Sequence, residues 1–376
     1  MLAPIRPPVH ARTHLTLTGA TTGDDMCCSR HSAPAAARPR IQRAGPVQEC
    51  MTSFAYVLPG QGSQSVGMGR AIAEASEAAA AVFAAADEAL GEPISRLAWE
   101  GPAEQLNRTE NAQPALLATS IAYLVAAHER ASVSGMTLPN PRFYAGHSMG
   151  QYTAMVAASA LSLPDGVRLV RERGLRMQAS GSGREGAMAA IIGLDDAALP
   201  ALVEQASAYG TFAVANRNSP GQVVVSGEKA AIEAAAEIAK KLGARRAIVL
   251  PVSVAAHSPL MAEAAAAMRE VLASVQFREP TAALLANADA RVILDGDGAR
   301  AELVEHLTAG VDWVRAVEKM TADGVDTFIE VGPGKVLTNL IRRIAPAANA
   351  IALDDVLASE DLDLPILVPA EPTQAN

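Results

Sequence analysis

Aromatic side chains are scarce in this chain. Only 3% of its 376 residues are Phe, Trp or Tyr, while Ala, Val and Leu abound. That balance favours a helix-rich α/β protein over a β-sandwich. Cysteine is confined to Cys27, Cys28 and Cys50. From Met51 onward there is none, which excludes a disulfide framework or a cysteine-ligated metal site there. No apolar run approaches the roughly 20 residues of a membrane span, so no membrane partner is expected. Positive charge is also short: the formal net charge is −9. An acidic chain is a poor candidate for binding nucleic acid. What is present is a 50% hydrophobic composition, enough for a large core in one domain with an insertion, or in two domains.

Residues 1–50 differ from the rest. Six arginines against two aspartates and one glutamate give them a net +3, leaving −12 on the remainder. They also hold six of the 23 prolines and no sustained periodicity, as a disordered leader would. Two explanations compete. The leader is an Arg-rich transit peptide, or it is translated upstream sequence with Met51 the true start. The second is favoured, because Met51-Thr52-Ser53 runs straight into an apolar strand, Phe54–Leu58. A cytoplasmic protein is then expected; a transit peptide would instead direct it to an organelle matrix.

After that strand comes Pro59-Gly60-Gln61-Gly62-Ser63-Gln64. It is not a dinucleotide fingerprint, since Ser65 stands where the third glycine should be. Alanine-rich helices follow to about Leu90, and another is expected from Gln113 to Arg130. Further on, Pro164 to Ala179 reads as a helix with Ser162 as its cap. From Met188 the pattern changes. Strands at 188–194, 211–215, 222–226 and 246–250 alternate with helices at 195–208 and 228–242, and Asn216–Gly221 reads as a connecting loop. This βαββαβ order predicts a ferredoxin-like subdomain over residues 184–256. α/β texture then resumes, with a helix from Leu260 to Val275, a short strand at 282–286, a helix beginning at Ala301 and a strand at 327–331. Gly332-Pro333-Gly334-Lys335 is no P-loop, because the glycine spacing is wrong and Val336 replaces the metal-binding Ser or Thr. Residues 354–376 are acidic, and a loose tail is expected. The larger domain is therefore assigned to 51–183 and 257–353.

The pentapeptide Gly146-His147-Ser148-Met149-Gly150 carries the chemistry. It has the Gly-x-Ser-x-Gly form of a nucleophile elbow, with a strand-like run before it and a helical run after it. The structural alternative is a glycine-rich turn with a capping serine. A serine hydroxyl needs a base. Beyond the leader the candidates are His128, His147, His257 and His306. His128 sits beside Glu129 and Arg130 and reads as solvated. His147, inside the elbow, suits support rather than base. His306 reads as a cap or an indirect partner of the site. His257 follows the last strand of the inserted unit and is the expected base. No Asp between Ser148 and His257 stands where it would orient the imidazole; Asp165, Asp195 and Asp196 all look like helix starts. A Ser–His dyad oriented by a backbone carbonyl is expected.

Arg173 is the second signal. At about 100° per residue it falls on the apolar arc of its helix, between Leu169 and Met177, while Arg168, Arg171 and Arg176 fall outside. A buried arginine needs an anion, either an internal carboxylate or a substrate's. Lys240, Lys241, Arg245 and Arg246 form a basic cluster, either a solvated helix end or a patch for a phosphate or acidic partner.

Together these residues resemble the malonyl-CoA:acyl carrier protein transacylases of type II fatty acid synthesis, kin to polyketide synthase acyltransferase domains. The resemblance runs from Met51 to about Ala345. It rests on Pro59–Gln64, Gln113-Pro114-Ala115-Leu116, the elbow, Glu172-Arg173-Gly174, Asn218–Gln222, Pro251–Val254 leading to His257, and Val331–Lys335. It implies an α/β-hydrolase-like large domain with a ferredoxin-like insertion. It implies Ser148 as nucleophile, His257 as base, the N–H groups of Gln61 and Met149 as oxyanion hole, and Arg173 on the malonyl carboxylate. Gln113 would line the pocket and Arg246 would lie near the coenzyme A side. Two positions depart from the family. His306 stands where a Gln is common whose main-chain carbonyl orients the histidine. Ala256 stands where a Ser is common that helps select the acyl group.

The expected reaction is a ping-pong transfer from malonyl-CoA to the phosphopantetheine thiol of an acyl carrier protein. It requires no metal or redox cofactor, and a monomer is expected. The rivals are a serine esterase or thioesterase on a similar scaffold, a trans-acting polyketide acyltransferase, and a non-catalytic module that docks carrier proteins.

Overall fold

A run of small and branched apolar residues, Phe54 to Leu58, forms the central strand of the larger sheet. The computed structural model describes residues 52–180, 185–250, 252, 254–359 and 367–369. The expectations for the leader, residues 1–50, lie outside them. Strands in chain order are β1 (Phe54–Leu58), β2 (Met136–Thr137), β3 (Phe143–Gly146), β4 (Gly186–Ile192), β5 (Phe212–Ser219), β6 (Gln222–Glu228), β7 (Arg246–Val249), β8 (Ala283–Leu285), β9 (Val292–Ile293), β10 (Val311–Asp312), β11 (Thr327–Glu330), β12 (Asn349–Ala352) and β13 (Val368–Pro369).

The larger sheet has the order β12-β11-β1-β3-β8-β9. All its ladders are parallel except β8–β9. Parallel strands covered on both faces read as continuous apolar runs, and β3 and β11 are buried throughout. Alternation sorts the side chains of β1. Tyr56 and Leu58 enter a core with the helices Glu77–Leu90, Thr109–Val133 and Leu163–Ser180. Ala55 and Val57 enter a second core, with Trp313, Phe328 and Ile341. In register, Leu58 stands opposite Gly146. The loop after β1 therefore emerges beside the turn after β3, at the carboxyl ends of the strands, where open α/β sheets bind ligands.

The smaller sheet has the order β10-β5-β6-β4-β7. The ladders among β4, β5, β6 and β7 are antiparallel, while β10 joins β5 in parallel. Ala187, Ala189 and Ile191 pack against Leu202, Ala206, Ile232 and Ala235 of the helices Leu199–Ser207 and Lys229–Lys241. Met188 and Val224 face the other way, with Ala215. The described residues from 52 onward belong to one compact unit, so the smaller sheet is not a detached body.

Several boundaries move. Of the segment Asn216–Gly221 only Pro220 and Gly221 form the connecting turn. β5 continues to Ser219 with register shifts after Val214 and Arg217, and such bulges re-aim side chains. The long helix begins at Thr109, before Gln113, and carries Pro114 inside it. Its buried stretch outweighs the single intrahelical bond that Pro114 removes. The helix expected at Ala301 begins at Gly296, where Asp295 Oδ1 accepts the Gly298 N–H at 2.7 Å. The tail assigned to 354–376 also needs correction. Leu353–Ala358 is a helix with Leu353 fully buried. Asp354 ties it down by accepting from the Tyr123 hydroxyl at 2.6 Å and the Gly334 N–H at 2.9 Å. Among the described residues no helix is long and apolar enough to cross a membrane.

Candidate active site

Two glycines make the turn after β3 possible. A Cβ on Gly146 would lie 2.1 Å from the Gly150 carbonyl carbon, and one on Gly150 would lie 2.2 Å from the Leu58 carbonyl oxygen. Between them Ser148 has φ +54°, and the helix Gly150–Ala157 begins at once. A left-handed serine costs about 1–3 kcal/mol, a strain that active sites commonly hold. His257 shares this geometry, with φ +58°. The elbow expected from the sequence is present, with its strand, turn and helix.

The two strained residues meet. Ser148 Oγ lies 2.8 Å from His257 Nε2. His257 Nδ1 lies 2.6 Å from the His306 carbonyl oxygen and 3.2 Å from that of Ala309. A carbonyl can only accept, so Nδ1 carries the proton and Nε2 offers its lone pair to the serine hydroxyl. Among the described residues no carboxylate takes part. Asp165 pairs with Ser162 and Arg168, Asp195 caps Ala197, and Asp196 pairs with Arg217. Burial first, and then repulsion from Arg173, lower the His257 pKa to about 3. The imidazole is therefore neutral, with Nε2 unprotonated and facing the serine hydroxyl.

Arg173 lies on the buried arc of the helix Leu163–Ser180 and is 1% exposed. Its Nη1 donates to Gln113 Oε1 at 2.8 Å and its Nη2 to Ser148 Oγ at 3.1 Å. Its carbon lies 5.9 Å from the centre of the Tyr152 ring, a cation–π distance. Nε has no partner. Among the described residues no carboxylate lies within ion-pairing distance of Arg173, whereas Arg168, Arg171 and Arg176 are all paired. Burial lowers its pKa, yet an arginine stays charged in proteins. The site thus contains a desolvated cation without an anion, beside a nucleophile.

His306 is fully buried. Its Nδ1 lies 3.0 Å from the Glu302 carbonyl oxygen, so that nitrogen carries the proton. Nε2 then accepts from Arg173 Nη2 at 3.4 Å. Burial, and then the neighbouring Arg173, hold its pKa well below the usual range. The side chain at 306 thus touches the arginine, while its main chain touches the base.

A cavity of about 650 Å³ opens over these groups. Gln61, Asn107, His147, Ser148, Met149, Arg173, Asn216, Asn218, Gln222, Ala256 and His257 line it, with Met188 and Val224 of the smaller sheet and Leu250 just after β7. The bulged β5 delivers Asn216 and Asn218 to this wall. His147 Nε2 lies 2.9 Å from Asn218 Oδ1 and its ring tilts against Trp313, so it supports the wall. The N–H groups of Gln61 and Met149 have no protein acceptor among the described residues. Gln113 does not line the cavity; it is fully buried behind Arg173. Arg246 is exposed on β7 and is not among the residues that line the cavity. Among the described residues no cluster of His, Cys, Asp and Glu is arranged to hold a metal.

Three polar residues escape the sequence reading. Asn287 Oδ1 accepts the Ser148 N–H at 2.8 Å, and its Nδ2 donates to the Gly146 carbonyl at 3.0 Å. Gln151 Oε1 accepts the Gly146 N–H at 3.1 Å and its Nε2 donates to the Leu285 carbonyl at 2.9 Å. Buried Glu330 accepts the Leu337 and Thr338 N–H groups at 3.0 and 2.7 Å. It fills the helix N-terminus after Gly334, where a P-loop would hold phosphate. The available signal was position: Asn287 lies just past β8, at the same sheet end as the elbow.

Residues 55–357 match the acyl transferase domain family. The malonyl CoA-acyl carrier protein transacylase of Bacillus subtilis (strain 168) is 44% identical over 306 residues, covering 81% of this chain and 94% of that protein. Among solved structures, an acyl carrier protein S-malonyltransferase from Vibrio cholerae is similar with a TM-score of 0.76. It is 40% identical, over 80% of this chain and 96% of that one. A malonyl-transacylase solved in complex with a type II PKS acyl-carrier protein is similar with a TM-score of 0.75. It is 38% identical, over 80% of this chain and 94% of that one.

Proposed function

Since this chain belongs to the acyl transferase domain family, as a malonyl-CoA:acyl carrier protein transacylase, we propose that it moves malonyl through an ester on Ser148. The observation that carries this reading is Arg173: buried, without a counter-anion among the described residues, and 3.1 Å from Ser148 Oγ. A malonyl group supplies both what the guanidinium lacks and what the serine attacks. Its free carboxylate can pair bidentately with Arg173 while its thioester carbon faces Oγ.

In the first half-reaction the Ser148 hydroxyl proton moves to His257 Nε2 as the Oγ–carbon bond forms. The oxyanion is taken up by the N–H groups of Gln61 and Met149, both free of acceptors among the described residues. The carbon–sulfur bond then breaks, and His257 returns the proton to the departing coenzyme A thiolate. In the second half the phosphopantetheine thiol gives its proton to His257, its sulfur attacks the ester, and the proton returns to Ser148. Binding the carboxylate matters for the base too. It offsets the Arg173 charge that depresses His257, so the imidazole gains proton affinity when substrate is in place.

Every group used comes from one chain, so the proposal needs no metal, redox cofactor, nucleic acid or second subunit. The partners are malonyl-CoA and an acyl carrier protein. We read 51–183 and 257–353 as an α/β-hydrolase-like domain, extended by the docked helix to Ala358. The parallel sheet with its elbow at a strand end supports this. We read 184–256 as ferredoxin-like, supported by the βαββαβ order and the antiparallel order β5-β6-β4-β7. Initial velocities at several fixed carrier concentrations test the ester. Parallel double-reciprocal lines are expected; intersecting lines would contradict it.

A further inference from the structure

A strand-to-helix turn leaves backbone N–H groups without helical partners. At the elbow their fates differ. The Gly150 N–H donates to the His147 carbonyl at 2.9 Å, and the Gln151 N–H to the Ser148 carbonyl at 3.0 Å. The Ser148 N–H donates to Asn287 Oδ1 at 2.8 Å. The Met149 N–H alone has no acceptor among the described residues. Asn287 is itself fixed. It is 4% exposed, its Nδ2 reaches the Gly146 carbonyl at 3.0 Å, and its own N–H donates to Glu302 Oε1 at 2.7 Å. Its carbonyl accepts the Asp312 N–H at 2.7 Å.

We propose that Asn287 is a positioning residue for the transfer reaction: its amide spans Gly146 and Ser148, holds Ser148 in its left-handed conformation, and leaves the Met149 N–H, without an acceptor among the described residues, as the elbow's oxyanion donor. The inference rests on the malonyl-ester reading above. The chemistry requires one acceptor and one donor on the same short head, because the groups it meets are an N–H and a C=O. An amide provides both. An ionised carboxylate in its place turns an acceptor toward the Gly146 carbonyl, whereas a protonated carboxyl restores the donor. Burial and the neighbouring Glu302 carboxylate raise a carboxyl at this position above the usual range, so Asn287→Asp becomes a pH-gated copy of the native residue.

Charged and titratable groups around this point are Glu302, Arg291, Asp289 and Glu305 on one side, Asp312 with Arg217 on another, and His147, His257, His306 and Arg173 across the site. Wild type measured at each pH accounts for their titration.

The test is the single-turnover rate of malonyl-enzyme formation by quenched intact mass, at pH 5.5 and 8.5, for wild type, Asn287→Ala and Asn287→Asp, each with a melting curve. At saturating malonyl-CoA, Asn287→Ala should load at least tenfold more slowly, with the concentration for half-maximal rate changed less than threefold. Relative to wild type, Asn287→Asp should load within threefold at pH 5.5 and at least tenfold more slowly at pH 8.5. Loading of Asn287→Ala within twofold of wild type overturns the proposal, as does an Asp-to-wild-type ratio that is equal at both pH values. If the Ala variant does not fold, the Asp ratio decides. If neither variant folds, Asn287 is purely structural and the proposal falls. Absence of any ester in wild type would instead remove the reading beneath it.

Discussion

His257 Nδ1 lies 2.6 Å from the main-chain oxygen of His306, so a backbone atom orients the imidazole that faces Ser148. A carbonyl fixes the tautomer as a carboxylate would, without adding a negative charge beside the base. The contact is indifferent to the side chain at 306, which instead meets Arg173 at 3.4 Å. His306→Gln should therefore keep malonyl transfer within about threefold of wild type. His257→Gln should lose about 10³-fold, the scale of a missing general base. Steady-state transfer to carrier protein measures both. Equal, large losses would mean that the His306 side chain, rather than its carbonyl, supports the base.

Arg173 should set the choice of acyl group. Arg173→Ala removes the cation that awaits a carboxylate and should lower kcat/KM for malonyl-CoA by on the order of 10²-fold or more, the scale of truncating a buried charge pair. Acetyl-CoA has no carboxylate, so its turnover should change much less. Arg173→Lys should fall between, because an ammonium cannot bind bidentately. Parallel losses for both substrates would remove the carboxylate clamp.

The buried base carries a stability signature. The His257 pKa is lowered to about 3 in the folded protein, against about 6.5 in an unfolded chain. Between these values the unfolded state binds the extra proton, so stability is lost as pH falls through that window and is fully present above pH 6.5. Going from pH 8 to pH 5, wild type should lose about 2 kcal/mol more than His257→Gln. Urea unfolding of both proteins at the two pH values checks this. Equal losses would mean that His257 is solvated and titrates normally.

Much of this was legible in the sequence, for local reasons. The elbow is a short pattern whose glycines answer steric demands within five residues. Arg173 showed itself by breaking an apolar arc, and the βαββαβ order followed from strand and helix alternation. The dyad could be expected because no aspartate stood in an orienting place. What escaped depends on long-range contacts. Asn287 touches the elbow 139 residues away in sequence, and nothing beside it announces that. Asn216 and Asn218 looked like loop residues because strand propensity is low there, yet pairing with β6 draws them into a bulged strand. The acidic helix Leu353–Ala358 looked like a tail because Asp354 finds its partners in Tyr123 and Gly334. Gln113 was expected at the pocket wall and instead holds the arginine from behind.

The central claim is that Ser148 holds malonyl between donor and carrier. Intact mass of the protein mixed with malonyl-CoA, with and without holo acyl carrier protein, tests it most directly. The account predicts one malonyl adduct, mapped to Ser148 by peptide sequencing, absent in Ser148→Ala, persistent without carrier and discharged onto the carrier thiol when it is added. An adduct that hydrolyses without carrier, or transfer that proceeds unchanged in Ser148→Ala, would contradict it.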